Sequence, residues 1–175
     1  MQGWNAAIWR LSIDSQRDAS LKAHLDAIDW KILKELQTDG RMTNVELARR
    51  VGISAPPCLR RVRALEESGI IRGYRALLDE KSLGFDLTAF VFVGLNTQAE
   101  ADLVAFEDKV RAWSIVRECH LLSGEVDFVL KCVAPDLRAF QTFVIEQLTK
   151  TANVGSVRTS LVLRRVKDEP AVPVA

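Results

Sequence analysis

The sequence predicts an α+β fold in two parts, a small helical domain followed by a sheet domain with the order βαββαβ. Three observations carry that expectation. Residues 43–69 read as two capped helices joined by a glycine-containing turn. From residue 89 onward the hydrophobic pattern alternates between short apolar runs and amphipathic stretches. Charge is also segregated: residues 1–40 carry five basic and six acidic groups, residues 41–75 carry eight and three, and residues 76–175 carry eleven and fourteen. The net charge is only +1, so the positive field is concentrated on the helical part.

The helical pair begins at Thr43, with Glu46 three residues later, the spacing of a capping box. Val45, Leu47, Ala48 and Val51 supply an apolar stripe, and Gly52 is the expected left-handed stop. Ser54 is the next cap. Pro56 and Pro57 follow in the first turn, where a missing amide hydrogen had no partner to lose. At about 100° per residue, Cys58, Leu59, Val62 and Leu65 gather on one side, with Pro56, Pro57, Arg60, Ala64 and Glu67 on the other and Arg61 and Arg63 flanking. Gly69 ends this helix. Two helices, a glycine turn and a basic outward face match the helix-turn-helix motif, whose second helix lies in the DNA major groove.

Ahead of this pair, residues 26–37 place Ile28, Ile32, Leu33 and Leu36 on one face behind an aspartate cap, which supplies a supporting helix. Behind it, residues 70–78 have strand character and form a hinge strand within a linker over 70–86. The second half predicts a strand over 89–95, a helix over 99–113 and a strand over 116–122. A turn over 123–127 leads to a strand over 128–133, a helix over 136–148 capped by Asp136, and a last strand over 157–166. This is the ferredoxin-like plan, with both helices on one face of an antiparallel sheet. Phe90, Phe92, Phe128 and Leu130 share alternate positions, and an apolar outer face of this kind requires a second copy to cover it. The expected domains are 25–69, the linker 70–86, the sheet domain 87–167 and a tail 168–175. Residues 1–24 read as a poorly ordered extension, because they lack the basic start, apolar core and cleavage site of a signal peptide.

Other classes find little support. Cys58, Cys119 and Cys132 form no CxxC pair and suit reduced core thiols, and His24 is the only histidine besides His120, so no metal site or other cofactor is expected. No apolar run approaches the roughly 20 residues that span a membrane. There is no phosphate loop and no nucleophile with a nearby histidine pattern, so no catalytic residues are assigned. The third strand, Phe128-Val129-Leu130-Lys131-Cys132-Val133, lacks the stacking aromatics of an RNA-recognition motif.

The stretch LDAIDWKILKELQTDGRMTNVELARRVGISAPPCLRRVRALEESGIIRGYRALLD, with VRECHLLSGEVDFVLK and VRTSLVLRRVK after it, resembles the Lrp/AsnC family of bacterial and archaeal transcription regulators, closest to its leucine-responsive branch. The resemblance runs from about Leu25 to Lys167. It implies a winged-type helix-turn-helix domain, a hinge strand, and a domain for regulation of amino-acid metabolism (RAM domain). It further implies a cytoplasmic, nucleoid-associated regulator of amino-acid metabolism or transport genes, activator or repressor, whose partners are double-stranded DNA, other copies of itself and a small amino-acid effector. Dimers in such a family form through the second domain and assemble into tetramers, octamers or larger rings.

By the same resemblance, Thr43, Asn44, Ser54, Ala55, Pro56, Pro57, Arg60, Arg61 and Arg63 form the DNA-binding set, with Ser54 on phosphate and Arg60 or Arg61 on guanine edges or phosphates. The effector lies between subunits near the turn Ser123, Gly124, Glu125, Val126 and Asp127, beside Thr159, Ser160 and Leu161 of the last strand. Asp127 or Glu125 suits an ammonium group, and the backbone of a glycine turn suits a carboxylate. The plainer alternative is that Gly124 is a tight turn capped by Asp127. An effector-blind architectural DNA-binding protein is the alternative function.

Overall fold

The computed structural model describes residues 25–169 and 172–174; the expectation for residues 1–24 falls outside them. The chain divides into two compact units, the second running from Leu78 to Lys167.

The first unit holds three helices, α1 (Ala27–Thr38), α2 (Asn44–Val51) and α3 (Ala55–Glu67). A reciprocal capping box starts α1. Asp26 accepts from the Ile28 and Asp29 amides, each at 2.9 Å, and Asp29 accepts from the Asp26 amide at 3.1 Å. At α2 only half of the expected box forms. Thr43 accepts from the Glu46 amide at 3.2 Å, but the Glu46 carboxylate turns to Arg49 and Arg50 instead of returning to Thr43. Two guanidiniums outcompete one neutral amide for a carboxylate. Gly52 (φ 86°) and Gly69 (φ 77°) take the left-handed conformation that stops α2 and α3.

Ser54 precedes α3 in extended conformation, yet its hydroxyl caps nothing. A cap side chain accepts from the second or third amide of the helix, and here those residues are Pro56 and Pro57, which have none.

Ile32, Leu47, Ala48, Val51, Cys58 and Leu65 form the buried centre of this unit, with Ile28, Leu33, Leu36 and Val62 packed on it. Two expected core residues are corrected. Val45 is 70 % exposed and Leu59 is 37 % exposed. At about 100° per residue, Leu59 lies roughly a quarter turn and Val45 nearly a third of a turn from the middle of its helix's buried arc. The hinge strand is a further correction: residues 70–79 join no ladder among the described residues. A strand needs a second row of amides and carbonyls, and none is offered to it there.

The second unit contains β1 (Leu87–Leu95), α4 (Glu100–Ala112), β2 (Val116–Leu121), β3 (Phe128–Ala134), α5 (Leu137–Phe143, continued by a π-helical segment Val144–Leu148) and β4 (Val154–Leu161). Sheet order is β2-β3-β1-β4 with every neighbouring pair antiparallel, the ferredoxin-like arrangement. Ala89, Val91, Val93, Phe128, Leu130, Cys132 and Ala134 from the sheet share one buried cluster with Phe106 and Val110 of α4 and Phe140 and Phe143 of α5. Both helices therefore cover the same sheet face.

The register corrects the expected grouping of four aromatic and aliphatic residues. Val91 stands opposite Leu130 and Val93 opposite Phe128, whereas Phe90 stands opposite Lys131 and Phe92 opposite Val129. Directly opposed residues share a face. Phe128 and Leu130 are buried under the helices, and Phe90, 38 % exposed, lies with Phe92 on the open face. The last strand also starts and stops earlier than expected. Leu161 pairs with Ala89, close to where β1 begins, so the ladder ends at Val162, and Leu163 and Val166 stand 97 % and 85 % exposed.

Candidate nucleic-acid interface and effector region

On α3, Pro56, Arg60, Arg63 and Glu67 lie along one outward line, all exposed, with Leu59 beside them. Neither Arg60 nor Arg63 forms an ion pair among the described residues. Arg61 does not share this face. Its guanidinium lies 2.8 Å from Asp26 and 2.9 Å from Asp29, tying α3 to the start of α1. The Asp29 amide, helped by Arg61, holds the Asp26 carboxyl below its ordinary range.

The remaining expected residues frame the start of α3. Asn44 donates to the Ala55 carbonyl at 2.9 Å, pinning the beginning of α2 to the beginning of α3, while its own Oδ1 is buried without a partner. Ala55 and Pro57 are half-buried, and Thr43 and Ser54 are exposed. Two cations fell outside the expected set. Arg49 and Arg50 of α2 share Glu46, whose carboxyl their hydrogen bonds hold down at about 2. Arg49 is 74 % exposed while so paired, and Arg50 reaches on to Glu35 at 3.1 Å. Their i, i+3 and i, i+4 spacing from Glu46 was the available signal.

In the second unit the turn residues separate by role. Asp127 is only 8 % exposed, and both its carboxylate oxygens are engaged, by the Leu95 amide at 2.6 Å and by the Gln98 side-chain amide at 2.7 Å. Its own amide donates to the Val93 carbonyl at 3.0 Å, and its carbonyl accepts from Leu122 at 2.7 Å. Asp127 thus fastens the hairpin to the end of β1. Ser123, Gly124 and Glu125 are exposed and Val126 is half-buried. Of the two candidate acids, Glu125 is the one whose carboxylate forms no hydrogen bond or ion pair among the described residues.

Thr159, Ser160 and Leu161 are not beside this turn within one chain. They oppose Val91, Phe90 and Ala89, whereas Asp127 binds Val93 and Leu95, so they stand roughly 7–20 Å further along β1 at about 3.3 Å per residue. The part of β4 level with the hairpin is Val154–Val157. Antiparallel pairing runs β4 away from the hairpin as its residue numbers rise. The two halves of the expected effector set are therefore offset along the sheet, with Thr159 level with the middle of β1 and Leu161 toward its start.

A cleft of about 510 Å³ opens on the helix side, lined by Trp113, Ile115, Asp136, Arg138 and Thr142 among others. It lies at the far end of β3 from the hairpin. Cys58, Cys119 and Cys132 are unpaired thiols, and burial pushes the latter two up to about 11 and about 12. Among the described residues no group of three or more histidine, cysteine, aspartate or glutamate side chains is placed to hold a metal. No helix there is long and apolar enough to cross a membrane.

Comparison with known proteins decides what the two units are. The winged helix-turn-helix DNA-binding profile matches residues 25–72, and the Lrp/AsnC ligand binding domain profile matches residues 88–172. A leucine-responsive regulatory protein of Rhizobium meliloti (strain 1021) is 63 % identical over 148 residues, covering 85 % of this chain and 95 % of its own length. The chain belongs to the Lrp/AsnC family. The leucine-responsive regulatory protein of Escherichia coli K12 is 45 % identical over 143 residues, 82 % of this chain and 87 % of that protein. Among solved structures, a Neisseria meningitidis transcriptional regulator in complex with L-Met superposes with a TM-score of 0.81 at 41 % identity, over 85 % of this chain and 96 % of that one. An AsnC family regulator from Agrobacterium tumefaciens gives 0.80 at 32 %, over 85 % and 97 %. As an Lrp/AsnC protein, this chain is a transcriptional regulator with a helix-turn-helix DNA-binding domain and an Lrp/AsnC ligand-binding domain. Its relatives are regulators, not enzymes.

Proposed function

We propose that this regulator reads DNA half-sites with paired α3 helices and couples that reading to an amino-acid effector. Arg60 and Arg63, outward and without ion-pair partners, contact base edges and phosphates, and Ser54, released from capping by Pro56 and Pro57, donates to phosphate. Thr43 and Asn44 set the start of α2 against the start of α3. Arg61 belongs to the scaffold. Two α3 helices related by a two-fold axis meet half-sites about one helical turn apart. The open sheet face carrying Phe90 and Phe92 suits the pairing of copies. The protein works without catalysis, in the cytoplasm on the nucleoid.

The effector reading is carried by one observation, the exposed Ser123-Gly124-Glu125 segment with an uncommitted carboxylate, on a domain similar to one solved with L-Met. Thr159, Ser160 and Leu161 can complete such a site only from another copy. Occupancy then shifts the assembly equilibrium and the spacing of α3 helices, provided the two assemblies differ in affinity for the ligand. The effector-blind alternative draws on Asp127, whose carboxylate is already engaged within the chain.

A thermal-shift screen of the proteinogenic amino acids distinguishes them. A ligand at 100 times its dissociation constant adds about 2.7 kcal/mol. Stabilisation by one amino acid, abolished in Glu125→Gln, supports sensing; no shift with any of them, in protein that binds DNA, supports the blind version. Genomic footprinting with and without that amino acid then shows which genes respond.

A further inference from the structure

The outward line of α3 is not wholly basic. Pro56 stands one turn before Arg60 and two before Arg63, exposed, and Leu59 lies next to Arg60 at 37 % exposure. Both therefore keep apolar surface open to solvent on the outward side. The core side of the helix is filled by Cys58, Val62 and Leu65.

In a helix-turn-helix the first residues of the second helix meet base edges. Hydrogen-bond reading there needs donors or acceptors, and apart from the Ser54 hydroxyl, given above to phosphate, this helix start is poor in them. Ala55 has no polar side chain, its carbonyl is taken by Asn44, and Pro56 and Pro57 lack an amide hydrogen. What reaches outward first is carbon. The major groove offers one carbon group to match it, the C5-methyl of thymine. Charge complementarity selects the occupant: Arg60 and Arg63 flank the apolar strip, and the profile matching residues 25–72 is a DNA-binding one.

We propose that Pro56 and Leu59 form an apolar strip that recognises thymine C5-methyl groups, so that part of the operator specificity is read through carbon and not through hydrogen bonds. The inference rests on α3 being the groove-reading helix.

The test uses the full-length protein and a duplex it selects from a random-sequence pool. The duplex is made with thymine and again with uracil in its place, which removes only the methyl groups. For every thymine methyl that the strip touches, the uracil duplex binds wild-type protein about fourfold more weakly, the equivalent of one buried methylene. A Pro56→Ser, Leu59→Gln variant with an unchanged circular-dichroism melt binds both duplexes alike. The single variant Pro56→Ala, which puts a good helix former at that position, shows a reduced difference. Equal wild-type affinity for both duplexes overturns the strip while leaving groove reading by α3 in place. A full methyl effect persisting in the double variant overturns it too, by assigning the reading to other residues. Normal selectivity in Arg60→Ala together with an unaffected double variant removes the α3 reading and the strip with it.

Discussion

Arg61 on α3 and Asp29 on α1, thirty-two residues apart in sequence, lie 2.9 Å apart, and Asp29 is among the few buried acids of the described chain. The pair holds α3 to the start of the supporting helix α1. Its contribution is positional. Arg61→Ala is expected to destabilise the first unit by about 1 kcal/mol, the upper end for a partly solvated pair. Binding to selected and to random duplexes should fall by the same factor, whereas Arg60→Ala should weaken binding much more on the selected duplex. Gel-shift titrations at one salt concentration, with a thermal melt alongside, check both.

The Glu46 carboxyl, held down at about 2 against an ordinary 4.5, makes the sign of a pH effect predictable. The unfolded chain binds a proton there that the folded chain refuses, so stability rises with pH through this window. The contribution is complete above about 4.5 and fades as pH falls toward about 2. In urea titrations, Glu46→Gln should lower the midpoint at neutral pH, where the contribution is complete, and the two proteins should converge as pH falls toward about 2, so that the acid-side decline of the variant is flatter.

Asp127 is a structural acid. Asp127→Ala leaves the part-buried Leu95 amide without its acceptor, a cost of about 1 kcal/mol at the lower end for an unsatisfied donor, while the exposed Gln98 side chain turns to water. The second unit should unfold earlier in urea, and effector affinity should fall only as far as that loosening allows. Glu125→Gln should do the reverse, with no change in midpoint and no remaining stabilisation by any amino acid.

Phe90 tests the pairing of copies. Phe90→Asp is expected to keep the melt of the single chain, since the residue is 38 % exposed. Assembly should weaken by about ten- to a hundredfold, the equivalent of one fully buried aromatic side chain. Sedimentation velocity across a micromolar dilution series reads it, and unchanged assembly would move the interface elsewhere.

Sequence reading succeeded where the deciding interaction is local. Caps at Asp26, Thr43 and Asp136 and stops at Gly52 and Gly69 each depend on atoms within a few residues, and all are present. It failed by angle at Val45 and Leu59, where a quarter to a third of a turn separates core from surface. It failed by parity in the sheet, where Phe90 and Phe128 look equivalent until the strands are paired. Ser54 is instructive in the other direction: two prolines visible in the sequence already denied it a capping partner.

The sequence by itself determined the two-part α+β fold, the element order and the family, because periodicity, capping and glycine placement are properties of short segments. Tertiary structure alone decided three things: that Arg61 is tied to Asp26 and Asp29 while Arg60 faces out, that Asp127 is consumed within the chain, and that Thr159–Leu161 are offset along the sheet from the hairpin. The reason is common to all three. Each depends on groups brought together from distant segments, 32 residues apart for both Arg61 with Asp29 and Asp127 with Leu95, and such pairings follow from helix packing and strand register that no short stretch contains.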